Sequence, residues 1–197
     1  DLAAFVFQLD DCCWEEFKQL TDRCKAFGPL ARMPNLKKLS LGNFGFDDVE
    51  TITMCLNSCL ESLSLDNAAI GYEREWSSSQ VDVLVDKISR MSRLTSLSLS
   101  DIPITDKHLR LLLPRLNDQL KCLHLCGAFG DFSPISPLTD DGLKAIAEYC
   151  PSILTVDVDY QRNVGSSGIV ALVQNCPNLL EIGACGTRLG VEDVRGI

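Results

Sequence analysis

Three residues at alternate positions, Cys122, His124 and Cys126, are the first place in this chain where chemistry is conceivable. In an extended strand, residues two apart share one face, so a thiol, an imidazole and a second thiol would line up. Leu120-Leu123-Leu125 and Ile153-Val156-Val158 repeat one apolar spacing, and pairing them in parallel sets Asp157 beside His124. On paper this is a Cys–His–Asp cluster, with the residue types of an activated thiol or a partial zinc site. The roles are incomplete. No C-x-x-C spacing is present and the chain has only one other histidine, His108. His108 falls at a helix start, where it reads as a solvent-facing or capping residue. There is no G-x-x-x-x-G-K-[ST], G-x-G-x-x-G or H-E-x-x-H, and Gly165-Ser166-Ser167-Gly168 is too short to cradle a phosphate. The expectation is therefore no catalysis, no metal and no cofactor.

The elements that position these residues follow from an internal repeat. The pattern L-x-x-L-x-L, with apolar swaps, begins at 2, 36, 60, 94, 120, 153 and 179. The intervals are 34, 24, 34, 26, 33 and 26, and two successive intervals always span 58 to 60 residues. After each strand runs a helical stripe at i, i+3, i+4, i+7: Val81-Leu84-Val85-Ile88, Leu109-Leu112-Leu113-Leu116, Leu143-Ile146-Ala147-Cys150 and Ile169-Leu172-Val173-Cys176. Val49-Ile52-Leu56 and Phe17-Leu20-Cys24 are looser copies. Asp47, Ser79, Thr105, Asp140 and Ser166 are the expected N-caps. A strand–helix unit of this size buries only one face against its neighbours, so several must stack. The expected architecture is an α/β solenoid with about seven parallel strands on the concave face and helices on the convex face.

Two short motifs carry a resemblance. Met33-Pro34-Asn35-Leu36 and Cys176-Pro177-Asn178-Leu179 resemble the C-P-N-L opening of the cysteine-containing leucine-rich repeats. Ile104-Thr105-Asp106-Lys107-His108-Leu109 and Leu138-Thr139-Asp140-Asp141-Gly142-Leu143 resemble their I-T-D-x-G-L helix start. The helix-backed units also resemble the ribonuclease-inhibitor type. The resemblance covers essentially the whole chain, and it implies a leucine-rich-repeat horseshoe with a protein-binding role inside the cell. F-box substrate receptors of ubiquitin ligases commonly carry this type. One feature of the pattern is missing. The polar Asn or Cys three residues after the last strand Leu is replaced by Phe44, Ala68, Ile102 and Ala128.

In such strands the residues between the leucines face the concave side. The middle column reads Val6, Ser40, Ser64, Ser98, His124, Asp157, Gly183, and Asp66 and Asp159 stand in the column after it. Small residues make the centre shallow, with none of the aromatic anchors usual at hot spots. The face is then either solvated or covered, or it receives a basic segment at an acidic patch of Asp157, Asp159 and Glu181. The aromatics lie in two long connections, Gly71 to Gln80 and Gly127 to Leu138. Tyr72, Arg74, Trp76, Phe129, Asp131 and Phe132 are candidate binding residues there, the alternative being that Trp76 and Phe132 fold back onto their own repeats.

Composition narrows the partners. The chain of 197 residues carries 27 acidic and 18 basic residues, a net charge of −9, which disfavours nucleic acid and anionic membranes. No apolar stretch approaches the ~18–20 residues of a membrane span. The ten cysteines follow the repeat rather than a pairing scheme, with Cys12 and Cys13 near the first turn and Cys24, Cys55, Cys150 and Cys176 at helix stripes. That distribution favours reduced thiols and an intracellular home. Strand and helix signals at both ends, from Leu2 and around Val191–Val194, are without polar caps, so the whole of 1–197 is expected to be one repeat domain within a longer chain or complex. The leading expectation is a non-catalytic protein-interaction module. The alternative is a structural subunit of a large assembly, with a hydrolase or metal site around His124 as a third.

Overall fold

Leucines at every third and second position cannot be buried within one strand–helix unit, and the chain solves this by stacking. A computed structural model describes residues 3–8, 28–42, 45–46, 49–66, 69–70, 76–127 and 137–190. Nine strands are present among them: β1 Ala4–Gln8, β2 Lys38–Gly42, β3 Gly45–Phe46, β4 Ser62–Ser64, β5 Ala69–Ile70, β6 Ser96–Ser98, β7 Cys122–His124, β8 Thr155–Asp157 and β9 Glu181–Gly183. The helices are α1 Val49–Cys55, α2 Ser78–Ile88, α3 Asp106–Leu116, α4 Asp140–Tyr149 and α5 Ser166–Asn175. Seven strands form one parallel sheet in the order β1-β2-β4-β6-β7-β8-β9. The expected architecture is the observed one: a leucine-rich-repeat solenoid, sheet on one side and helices on the other. The expected helix around Phe17–Cys24 and the helix start near Val191 lie outside the described residues.

The sheet register is unshifted from strand to strand. Leu39, Leu63, Leu97, Leu123, Val156 and Ile182 form one row of Cα partners. The first five of these are buried, together with Leu60, Leu94, Leu120 and Ile153. They meet the helix stripes, where Val81, Leu84, Val85 and Ile88 of α2 and Leu109, Leu112, Leu113 and Leu116 of α3 point inward. Burying each such side chain is worth about 1.5–3 kcal/mol relative to leaving it in water. Coverage ends at the last described unit. Val85, Leu113 and Ala147 are 2%, 0% and 5% exposed, whereas Val173 at the matching place in α5 is 42% exposed. Leu180 beside β9 is 81% exposed.

The helix starts correct several sequence expectations. The cap of α2 is Ser77 rather than Ser79. Its Oγ accepts from Gln80 N at 3.3 Å while Ser77 N donates to Gln80 Oε1 at 2.8 Å, a reciprocal capping box. Thr105 caps α3 as expected. Thr139, not Asp140, caps α4, and Gly165, not Ser166, precedes α5 with no side-chain cap of its own. The expected N-cap Asp47 lies outside the described residues.

The aspartates of the I-T-D motif serve a different purpose from local capping: they reach forward to the next repeat. Asp106 Oδ1 accepts from Thr139 N at 2.9 Å and its Oδ2 from Thr139 Oγ1 at 2.7 Å. Asp140 Oδ1 accepts from Gly165 N at 2.6 Å. Each carboxylate thus satisfies a donor at the start of the following helix and ties two units together. The motif glycine follows from that contact. A Cβ on Gly142 would sit 2.5 Å from Asp106 Oδ1 and 2.5 Å from Leu138 Cδ1, and one on Gly168 would sit 2.9 Å from Asp140 Oδ1.

The polar position three residues after the strand is also only partly lost. The motif holds Ile102 in one repeat, but Gln161 fills the matching place after Val158. Its Nε2 donates to Leu125 O of the preceding repeat at 2.7 Å, and the side chain is buried. Thr187 takes the place after Ala184, with Oγ1 donating to Ala184 O at 2.7 Å.

Helix propensity alone would favour Gly142→Ala by about 1 kcal/mol. The crowding against Asp106 and Leu138 opposes this and wins, so the variant should be destabilised by about 1–3 kcal/mol in urea denaturation. A variant as stable as the wild type would show that Asp106 can move without loss.

Candidate functional site: the concave sheet face

Parallel pairing places the residues singled out from the sequence on one surface. Ser98, His124, Asp157 and Gly183 are successive Cα partners across β6, β7, β8 and β9. Behind them Ser64 belongs to β4 and pairs with Ser98. The face divides into two halves with different chemistry.

In the N-terminal half the polar groups are bound to one another. Ser40 Oγ donates to Ser64 Oγ at 3.4 Å, and Ser64 Oγ donates to Asp66 Oδ2 at 2.7 Å. Asp66 Oδ1 accepts from Ser98 Oγ and, at 3.3 Å, from Ser100 N. The Asp66 carboxylate therefore joins two repeats, reaches Ser40 of a third through Ser64, and has its negative charge met by three donors. Asp66 and Ser98 are brought together by the fold, with each serving the other.

One residue missed by the sequence reading belongs beside them. Asp101 follows β6 at a φ of +65°, a left-handed conformation that Asp and Asn adopt more readily than most residues. Burial pushes its carboxyl above the usual range, and the like charge of Asp66 pushes it further. The sequence signal was present, in the turn residues Ser100-Asp101 at a strand end, but it marked a turn rather than an electrostatic pair.

The C-terminal half holds the residues that looked chemical. His124 Nδ1 lies 3.7 Å from Asp157 Oδ2, so the predicted cross-strand neighbours do meet. Asp157 Oδ1 accepts from Asp159 N at 3.1 Å. Cys126, two residues after His124, is half-buried. Burial first, and then a hydrogen bond to Asp157, push its thiol up to about 12. At neutral pH it is a protonated thiol and holds its proton more firmly than an ordinary cysteine, which makes it a weaker nucleophile. Among the described residues no group of three or more His, Cys, Asp and Glu is arranged to hold a metal ion.

Asp159 Oδ1 accepts from Cys185 N at 2.6 Å, which ties β9 to the turn after β8. Glu181 heads β9 with its side chain exposed. Gly183 has no Cβ where one would strike the Asp157 carboxylate, so that carboxylate leans over the last strand. Asp157 and Asp159 thus each spend one oxygen on the backbone, and with Glu181 they form an acidic end to the face.

Of the candidate loop residues, Trp76 is described. It is half-buried against the core just before α2. Tyr72, Arg74, Phe129, Asp131 and Phe132 lie outside the described residues. The thiols of Cys59, Cys122, Cys126, Cys150, Cys176 and Cys185 are not in disulfides. Buried Cys150 and Cys176 pack as small apolar side chains at the ends of α4 and α5, as their places in the repeat imply. No helix among the described residues is long and apolar enough to cross a membrane.

Comparison with known protein families finds no match to this chain. Solved structures of similar trace include the leucine-rich repeat-containing protein LegL7 from Legionella pneumophila. It is 17% identical, with 82% of this chain and 50% of that one covered and a TM-score of 0.46. An internalin from Listeria monocytogenes is 18% identical, with 85% and 54% covered and a TM-score of 0.44. The TLR13 chain of a TLR13–ssRNA13 complex is 13% identical, with 96% and 31% covered and a TM-score of 0.47. The chain spans about half the length of the first two.

Because burial and Asp66 both disfavour the charged form of Asp101, its ionisation costs stability above its raised folded pKa, and acid relieves that cost. Asp101→Asn keeps the left-handed turn and removes the charge. It should raise the urea midpoint at pH 7, and the advantage over wild type should shrink towards pH 4. A lower midpoint at pH 7 would mean that the carboxylate makes a net favourable contact.

Proposed function

We propose that the chain is a protein-interaction module without catalysis of its own, and that its concave sheet takes a basic segment of a partner protein at the acidic end formed by Asp157, Asp159 and Glu181. The observation that carries this reading is the division of the face. Asp66 has its charge met internally by Ser64, Ser98 and Ser100. At the other end Asp157 and Asp159 each give one oxygen to the backbone, and exposed Glu181 adds a third carboxylate. A Lys or Arg side chain arriving there would gain charge-assisted hydrogen bonds. The sheet is already folded and its hydrogen bonds are already made, so little ordering is required on binding. Trp76 and the loop residues Tyr72, Arg74, Phe129, Asp131 and Phe132 are proposed as the flanking contacts. The net charge of −9 supports a protein rather than a nucleic acid or an anionic membrane as the partner.

The motif resemblance supports one setting for such a module, substrate capture by an F-box-type ubiquitin-ligase receptor inside the cell. In that setting 1–197 would be one repeat domain of a longer chain, and the adaptor-binding segment would lie outside it. The protonated Cys126 and the incomplete cluster around His124 support the absence of catalysis.

A second reading, a structural subunit of a larger assembly, is favoured by one observation. Val173 of α5 is exposed where Val85, Leu113 and Ala147 at the corresponding helix positions of earlier repeats are covered, and Leu180 beside β9 is exposed as well. End-on packing of apolar surface would explain them.

The two readings separate experimentally. With a fluorescent peptide alternating Lys and Ser as probe, the triple variant Asp157→Asn, Asp159→Asn, Glu181→Gln should bind at least tenfold more weakly, and wild-type binding should fall with added salt. Equal binding by wild type and variant would remove the acidic end as the site. Leu180→Glu should leave peptide binding unchanged. Under the second reading it should instead lower self-association measured by sedimentation velocity, a change the acidic variant would not produce.

A further inference from the structure

His108 is the third residue of α3 and is only 3% exposed, although it is an imidazole at a helix start. Both ring nitrogens are in use. Thr105 N donates to Nδ1 at 3.0 Å, and His108 N donates back to Thr105 Oγ1 at 3.4 Å. Nε2 lies 3.2 Å from Asp82 Oδ1 on the neighbouring helix α2. A backbone N–H can only donate, so Nδ1 is bare and the ring proton sits on Nε2, directed at Asp82. His108 thus does two jobs. It completes the capping box of α3 and it joins α3 to α2. In α2 the same box position holds Gln80, which has no titration, and in α4 and α5 it holds Gly142 and Gly168.

We propose that His108 is an acid-released latch on the first turn of α3, seated against Asp82 of α2. Protonation places a hydrogen on Nδ1, which lies 3.0 Å from both Thr105 N and Thr105 Oγ1. The bond from Thr105 N is lost and Nδ1–H is left with only the hydroxyl to donate to, so the capping box at the first turn of α3 loses one of its two arms.

The charged groups around the ring set the direction. From α2 there is Asp82, and from α3 itself Lys107, whose Nζ lies 3.3 Å from the same Asp82 oxygen. On the far side of α3 the carboxylate of Asp106 is engaged with Thr139. Burial pulls the His108 pKa down, against the smaller opposing pull of Asp82. Lys107 holds the Asp82 carboxyl below its usual value, so Asp82 stays charged throughout the range in which histidine titrates. With the folded pKa below the unfolded one, the unfolded chain takes up the proton first. The stability from the latch is therefore complete above about pH 6.5 and is lost as the pH falls below it.

The latch is tested by urea denaturation at pH 7.5 and 5.5 together with the imidazole nitrogen spectrum, in which only two histidines appear. The spectrum at pH 7.5 should show His108 as the Nε2–H tautomer, and an Nδ1–H tautomer would overturn the proposal. His108→Gln copies the cap of α2 and cannot titrate. From pH 7.5 to 5.5 the unfolding constant of wild type should rise by up to about tenfold more than that of His108→Gln. Equal rises would overturn the latch. Asp82→Asn keeps an acceptor for Nε2–H and removes the charge that favours the proton. It should lose more stability on acidification than wild type does, and a smaller loss would also count against the latch.

Discussion

Everything in this chain depends on the fact that a single strand–helix unit has no core of its own. Its leucines become buried only when the next unit arrives to cover them. The strands are therefore held in unshifted register, because a slip of one residue would turn the leucine row to water and bring serines into the core. The same requirement explains why the supporting hydrogen bonds run between units. Asp66, Asp106, Asp140, Asp159 and Gln161 each reach across to a neighbouring repeat.

Much of this was legible from spacing. The apolar ladder fixed the number of strands in the sheet, the helix stripes and the pairing of His124 with Asp157, because burial enforces a period that the residues display directly. Helix caps were less legible. Ser79, Asp140 and Ser166 are good capping residues, yet Ser77, Thr139 and Gly165 take the position, and the choice turns on where the chain leaves the preceding loop. The role of Asp106 and Asp140 was hidden for a different reason. Their partners lie 33 and 25 residues away, and no local pattern announces a donor in the next repeat. Gln161 escaped notice because it is the substitute for a residue that most of the other repeats lack.

The acidic face was legible as composition and not as chemistry. Counting carboxylates groups Asp66 with Asp157, Asp159 and Glu181. The structure separates them, because Asp66 is ringed by serine donors, whereas Asp157 meets a backbone N–H, Cys126 and His124, Asp159 gives one oxygen to Cys185 N, and Glu181 stands exposed. His124 likewise looked like the centre of a reactive cluster. Its environment instead leaves the adjacent Cys126 protonated, since a buried thiol hydrogen-bonded to a carboxylate holds its proton. Residue types suggest a reaction only when the surrounding field also favours the reactive protonation state.

The unshifted register has one more consequence, concerning how a partner finds its place. A parallel sheet without stagger is a grid, with rungs at the ordinary ~4.8 Å strand spacing. A ligand that read backbone and small side chains alone would fit nearly as well one rung along, and would slide. The middle column runs Ser40, Ser64, Ser98, then His124, Asp157 and Gly183. The first three rungs are interchangeable and the last three are all different. For the partner proposed above, alignment would be read at the C-terminal end, where each rung carries its own mark, while the serine rungs extend the track without numbering it.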